Sequence, residues 1–466
     1  MKLSSKVLLA MAISSITATA YAEPASQEFV PTTLAGASAQ SEAKGFIEDF
    51  SLGGQTRNWY SHESKYRGGT FKYNKHNKEL TDRNRTNWVQ GTILNASSGF
   101  TEGTVGVKTE IALYNVVALD RSRRDVKGSS NRTLAHSNGD PVDQWSKLGL
   151  ANVQFRVSNT TLTAGRQNFS SPIVDTIGNR ALPSSFEGVS FNSEEFNNLS
   201  FQGGVFDRVS PRTEQSLSKF RTEYTSDASV ETDKVYTLGA NYQPFKSLKT
   251  SFFGANVKDF WNQYYFGATH ELGDSQQLAL TTGFNYYKTV DEGKKLMGDI
   301  DNDTFSLSLG LAHQAHSLTF SYQAVNGNEY FDYLHETNGI YLANSLTSDF
   351  NGPNEKSFQV AYGINMAEYG VPGLKFNIYS ARGWGIDGTH YTGNRGVVGK
   401  GYDGIQKQDG EKHQEYGVGA GYAIQSGPLK ATAIRATYVE HRGSEFQSDG
   451  SVKEFRLVTT IPFNIL

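Results

Sequence analysis

The C-terminal stretch, residues 412–466, limits what this chain can fold into more than any other. It holds three runs of strictly alternating character. In the first, Tyr416, Val418, Ala420, Tyr422 and Ile424 share one face, and Gly417, Gly419, Gly421 and Ala423 share the other. A tight turn at Ser426, Gly427 and Pro428 follows. The second run sets Ala431, Ala433, Thr437 and Val439 on the face of Arg435, with Ile434, Ala436 and Tyr438 opposite. In the last run Phe455, Leu457, Ile461, Phe463 and Ile465 oppose Glu454, Arg456, Val458 and Thr460. A period of two with one greasy and one polar face marks a half-buried strand. A chain apolar to its last residue suits a sheet that closes on itself in lipid.

The other end reads as an export signal. Lys2 and Lys6 precede an apolar core from Val7 to Ile13, and Ala20-Tyr21-Ala22 is a small-residue cleavage site. Residues 1–22 are therefore set apart as a signal peptide, with Glu23 as the first mature residue. The formal charge then moves from −3 to −5, since both lysines leave and no acid does. Mild acidity argues against a nucleic-acid partner. There is no cysteine, so no disulfide framework supports the fold. No later stretch approaches the roughly 20 apolar residues of a membrane helix. Yet aromatics make up 12% of the chain, glycine 47 of 466 residues, and the mean hydropathy is −0.49. A transmembrane β-barrel combines these values because only alternate residues touch lipid. A large secreted β-propeller or tandem sandwich fits them equally well.

The order of connections separates these folds. Residues 23–45 are small and polar and read as a flexible lead-in; the barrel is expected over 46–466. Strand candidates cover 48–60, 86–97 and 103–115. The last shows the clearest alternation of the first half: Val105, Val107, Ile111 and Leu113 against Gly106, Lys108, Glu110 and Ala112. Further candidates follow at 148–158, 160–168, 188–193, 199–207, 235–243, 248–257, 259–272, 276–288, 304–313, 317–325, 356–365 and 373–382, before the closing three. Connections alternate long and short, with one exception near Lys258. Short turns at one end and long loops at the other are the mark of an all-β, antiparallel, up-and-down transmembrane barrel, here of about 18 strands. A barrel that wide leaves an aqueous lumen, so the expected function is a passive channel.

Several blocks resemble the OprD-type outer-membrane porins. Gln425 to Lys430 (QSGPLK), Arg435, and the closing strand from Glu454 to Leu466 resemble the family's C-terminal end. Gly45 to Asp49 looks like its opening strand, and Gly99 to Gly106 like its first periplasmic turn. Asn179 to Pro183, with Phe186-Glu187-Gly188, looks like its inward-folded third loop. The resemblance implies a pore narrowed by inward loops, with Arg and Lys down one side of the wall to guide carboxylates. Relatives often carry paired Arg on the penultimate strand; here residue 433 is Ala and Arg435 stands alone.

Fixed cations in a narrow low-dielectric bore concentrate anions, and Arg grips a carboxylate with two parallel bonds. The candidates are Arg57, Arg156, Lys375, Arg435 and Arg456, with Glu454 placed to pair with Arg456. The constriction candidate, loop 169–187, contains Pro172, Asp175, Arg180, Pro183 and Glu187; Asp175 and Arg180 are expected opposite the cationic row. Trp59, Tyr60, Trp88, Phe260, Tyr264, Tyr438, Phe455 and Phe463 are candidates for an aromatic girdle. Asp299, Asp301 and Asp303 lack the Gly and Glu that a calcium loop needs, having Thr304 and Gly310 there. His413 with Glu415, or His313 with His316, completes no metal set. No hydrolase, metalloprotease or phosphate-loop motif occurs. The reading is therefore an outer-membrane porin without cofactor, passing small anionic or zwitterionic solutes such as amino acids, short peptides and organic acids. Its surroundings would be outer-membrane lipid and lipopolysaccharide, as a monomer or loose homotrimer. An oligosaccharide porin and a barrel enzyme are the alternatives.

Overall fold

The computed structural model describes residues 38–67, 69–75, 78–120, 142–225, 229–393, 402 and 404–466. The expected signal peptide, 1–22, and the start of the expected lead-in lie outside these. Among the described residues, eighteen strands form one closed antiparallel sheet. They are β1 (Ser51–Arg67), β4 (Asn84–Ser97), β5 (Gly106–Ala118), β6 (Gln144–Val157), β7 (Thr160–Gln167), β8 (Ser185–Phe196), β9 (Leu199–Ser210), β10 (Val235–Phe245) and β11 (Leu248–Val257) on one half. The other half has β12 (Trp261–Asp274), β13 (Leu278–Asp291), β14 (Asp301–His313), β15 (His316–Asn326), β16 (Lys356–Asn365), β17 (Leu374–Asp387), β18 (Asp409–Ala423), β19 (Ala433–Gly443) and β20 (Ser451–Asn464). A small hairpin, β2 (Phe71–Lys75) with β3 (Lys78–Asp82), stands in the connection after β1. β1 closes the ring by pairing with β20 from Gly53↔Asn464 to Arg67↔Ser451.

The strands are longer than the alternation in the sequence suggests, mostly on the long-loop side. β1 continues through His62-Glu63-Ser64-Lys65-Tyr66-Arg67, and β18 begins at Asp409. Beyond the apolar band both faces of a strand carry polar side chains, so the alternation fades while the hydrogen-bond ladder continues. For the same reason Asp301 and Asp303 belong to β14 rather than to a loop. Lys288 of β13 bridges them at 2.5 and 2.6 Å. The connection at residues 258–260 is short even though it lies at the long-loop end. Gln40 ties the lead-in down: its amide donates to Thr101 O and Gly103 O, and its backbone N–H to Ser158 O. The described part of the lead-in is thus fastened to the neighbouring turns at Gln40.

Outward-facing positions are apolar, as in Leu238, Phe252, Leu307 and Phe455. Tyr60, Trp88, Tyr264, Tyr438 and Phe463 also point outward, as the girdle reading expects. Trp59 and Phe260 do not. Trp59 shares the inward parity of Arg57 and is 3% exposed, and Phe260 is fully buried. The protein's core is the packing of loops against the inner wall. One cluster sets Ile173, Val174, Phe220, Phe331 and Leu334 against Phe253, Tyr265 and Tyr287. A second sets Ala181 and Leu182 against Trp59, Val89 and Tyr114.

Candidate functional site

Residues 168–184, between β7 and β8, contribute to both clusters and so cross the lumen. On one side the Arg57 guanidinium donates from Nη1 to Gly178 O and Arg180 O, each at 2.8 Å, and from Nε to Thr460 Oγ1 at 3.1 Å. On the other side Tyr287 Oη donates to Pro172 O at 2.8 Å. Around the ring of eighteen, β13 lies eight strands from β1 one way and ten the other. The loop thus bridges opposite walls. Gly91 of β4 permits the close approach: a Cβ there would lie 2.7 Å from Ala181 O. Pro183 is buried at the loop's end, whereas Glu187 sits on β8 and pairs with Arg166 at 3.1 Å. The strand begins at Ser185, so Glu187 is part of the wall and not of the loop.

The sequence candidates on neighbouring strands converge on Trp59. Trp59 pairs with Val458, Arg435 with the same Val458, and Thr437 with Arg456. The Arg456 guanidinium lies 5.6 Å from the Trp59 ring centre and bonds Glu454 Oε1 at 2.7 Å. The Arg180 guanidinium lies 6.0 Å from the same ring. Arg180 therefore joins the cationic side rather than standing opposite it. Asp175 lies near β13, taking bonds from Asn338 Nδ2 at 3.2 Å and Tyr341 Oη at 3.4 Å. Burial pushes the Asp175 carboxyl up to about 6. Burial, with the charges of Arg212 and Arg85 adding to it, lowers Arg180 to about 10.

The row that starts at Trp59 and Val458 continues through Arg435 and Gly421 to Lys375, in register across β20 to β17. Lys375 and Arg435 share a cavity of about 480 Å³ with Val458 and Thr460. Gly421 between them adds no side chain, which keeps the gap open. Arg156 lies apart, at the short-turn end, stacked 3.8 Å from the Phe100 ring centre and bonded to Gln40 Oε1 at 3.0 Å.

Three further charged groups complete the site. Arg85 forks onto Glu63, with Nη2–Oε1 at 2.5 Å and Nε–Oε2 at 2.6 Å. Arg212, from the connection after β9, grips Glu336 through Nε and its own backbone N–H, both at 2.8 Å. Burial raises the Glu336 carboxyl, but Arg212 and His335 outweigh it and hold it well below the usual range. Lys147 of β6 donates to Pro211 O and Glu214 O, fastening the same connection. Arg85 shares the inward parity of Val89 and Gly91, a signal present in the sequence. Arg212 lies in a connection without periodicity and leaves none.

An inward loop on a cationic wall inside a closed barrel is a channel architecture, and comparison with known proteins decides whose. The model of the outer membrane porin OprD family matches residues 44–465. The chain belongs to that family. Porin D of Pseudomonas aeruginosa is 36% identical over 440 residues, covering 92% of this chain and 94% of that protein. Porin-like protein GalP of Pseudomonas putida is 27% identical over 454 residues, covering 94% and 98%. The crystal structure of Pseudomonas aeruginosa OccD3 (OpdP) shares 44% identity, with a TM-score of 0.81, over 94% of this chain and 95% of that one. The structure of Pseudomonas aeruginosa OprD shares 33%, with a TM-score of 0.76, over 92% and 98%. This OprD-family porin is thus an outer-membrane channel and not an enzyme.

Proposed function

We propose that this porin passes small solutes bearing a carboxylate, such as amino acids, short peptides and organic acids, by passive diffusion. The observation that carries the reading is the inward placement of Arg435, Arg456 and Arg180 around Trp59, with Lys375 in register beyond Gly421. In a bore narrowed by a loop, charges in partly dehydrated surroundings act on a passing anion far more strongly than in bulk water. Asp175 toward the other wall supplies the opposite sign and favours solutes that also carry an ammonium group. Arg57 contributes differently: its donors hold the loop, so its role is positioning. Lumenal aromatics such as Tyr265, Tyr287 and Phe331 pack on one another, with ring centres 4.7 to 4.8 Å apart, and offer no continuous slide for a sugar chain. The outward apolar belt fits outer-membrane lipid and lipopolysaccharide. Each barrel closes on itself, so a monomer and a loose homotrimer carry the same pore.

Planar-bilayer recording tests this. Arg435→Ala with Arg456→Ala should lower anion preference and weaken current block by small carboxylates, with the barrel still folded. Unchanged reversal potentials, or block by a sugar oligomer and by no carboxylate, would overturn the reading.

A further inference from the structure

Away from the constriction, toward the long-loop end, two buried histidines face each other inside the wall. His413 of β18 is 3% exposed and His441 of β19 is fully buried. The Nδ1 of His413 and the Nε2 of His441 lie 2.7 Å apart. Their other ring nitrogens are engaged. His413 Nε2 donates to the buried Glu355 carboxylate at 2.5 Å, and His441 Nδ1 donates to Gly450 O at 2.8 Å. The half-buried carboxylate of Asp449 completes a set of three ligand atoms that all lie within 4.8 Å of one another. Asp449 Oδ2 accepts from Ser348 Oγ at 2.6 Å and from Gln447 Nε2 at 3.1 Å. Ser348 Oγ is also 3.3 Å from His413 Nδ1.

We propose that His413, His441 and Asp449 form a binding site for a divalent transition metal of the zinc class. Imidazole and carboxylate ligands suit zinc, cobalt, nickel and copper, and do not select magnesium or calcium. Ligating histidines characteristically give their second N–H to a carboxylate or a backbone carbonyl, which fixes the tautomer and turns the other nitrogen to the metal. Both rings already stand that way, one on Glu355 and one on Gly450. Two nitrogens bound to one tetrahedral ion at about 2.0–2.1 Å each sit roughly 3.3 Å apart. The rings therefore need to part by only about half an ångström. Without metal, a proton shared between the facing nitrogens takes that place, and binding releases it. Glu415 is not a ligand: it accepts from Ser348 N, Thr347 N and Tyr379 Oη. Asp449 lies in the connection between β19 and β20, at the long-loop end, and gives the ion a route in. Once bound, the ion would join β18, β19 and that connection, with Glu355 and Ser348 tying in the segment between β15 and β16. His413 and His441 are 28 residues apart in sequence and meet only across the β18–β19 ladder, so spacing alone does not reveal the pair.

The test is titration of the purified, chelator-washed barrel in detergent with Co²⁺, followed by displacement with Zn²⁺. One Co²⁺ per chain, with the strong visible absorption of a four- or five-coordinate ion lost on adding Zn²⁺, is the expected result. Affinity should fall at least 100-fold in His441→Gln and 10-fold or more in both Asp449→Asn and Glu355→Gln. Asp449→Asn, on a half-buried connection, serves where His441→Gln does not fold, with folding checked by heat-modifiable migration. Only the weak spectrum of hydrated Co²⁺ in the wild type, or wild-type affinity in a folded Asp449→Asn, would overturn the proposal.

Discussion

Single side chains in this pore differ by what already holds them. Arg456 is bonded to Glu454 and lies near Trp59, so part of its charge is neutralised before any solute arrives. Glu454→Gln should therefore raise anion preference, read as a larger reversal potential in a salt gradient. Arg57 behaves oppositely, because its guanidinium holds two loop carbonyls. Arg57→Ala should loosen residues 178–180 and give a larger, noisier conductance with little direct change in selectivity. Asp175 titrates within a usable range. Its folded-state pKa of about 6 lies above the ordinary 3.8, so protons bind the folded form more readily than the unfolded one. Stability therefore grows as the pH falls from about 6 toward 4, and the constriction loses a negative charge in the same window. Anion preference should rise between pH 7.5 and 4.5, and Asp175→Asn should flatten that change.

At the scale of elements, the crossing loop is held mainly by packing. Leu182 and Ala181 are buried beneath Trp59 and Val89. Leu182→Ala should cost about 2–5 kcal/mol of that docking. The barrel would persist, because its ladders are untouched, and the loss should appear as channel flicker. Gly91→Val tests the same contact from the wall, since a side chain there displaces Ala181. The strands were readable in the sequence because lipid on one side and water on the other imposes a period of two. Their outer ends were not, because Glu63 to Arg67 and Asp409 to Lys412 carry polar side chains on both faces and so leave no period of two. Parity would also have placed Trp59 inside, beside Arg57, whereas its aromatic character suggested the membrane interface. The anchoring role of Arg57 was out of reach, since its partners lie 121 and 123 residues away with no local pattern to announce them. The same holds for Arg180, whose side of the pore is set by Trp59 and not by its own loop.

For the molecule as a whole, the account requires every strand to separate lipid from water. Leu307, at the middle of β14, faces outward, and Ser308 faces in. Leu307→Arg should cost about 2–4 kcal/mol of stability in lipid vesicles, and Ser308→Arg much less. The natural chain has no cysteine, so single cysteines can report on the two faces without background. Val458 lies between Arg435 and Trp59 on the inner face of β20, and Leu457 beside it faces lipid. The decisive measurement is the rate at which charged thiosulfonate reagents change the current through Val458→Cys and Leu457→Cys channels. The account predicts that Val458→Cys reacts, and roughly 10-fold faster with an anionic reagent than with a cationic one, while Leu457→Cys does not respond. Equal reaction at both positions, or faster reaction of the cationic reagent at Val458→Cys, would contradict it.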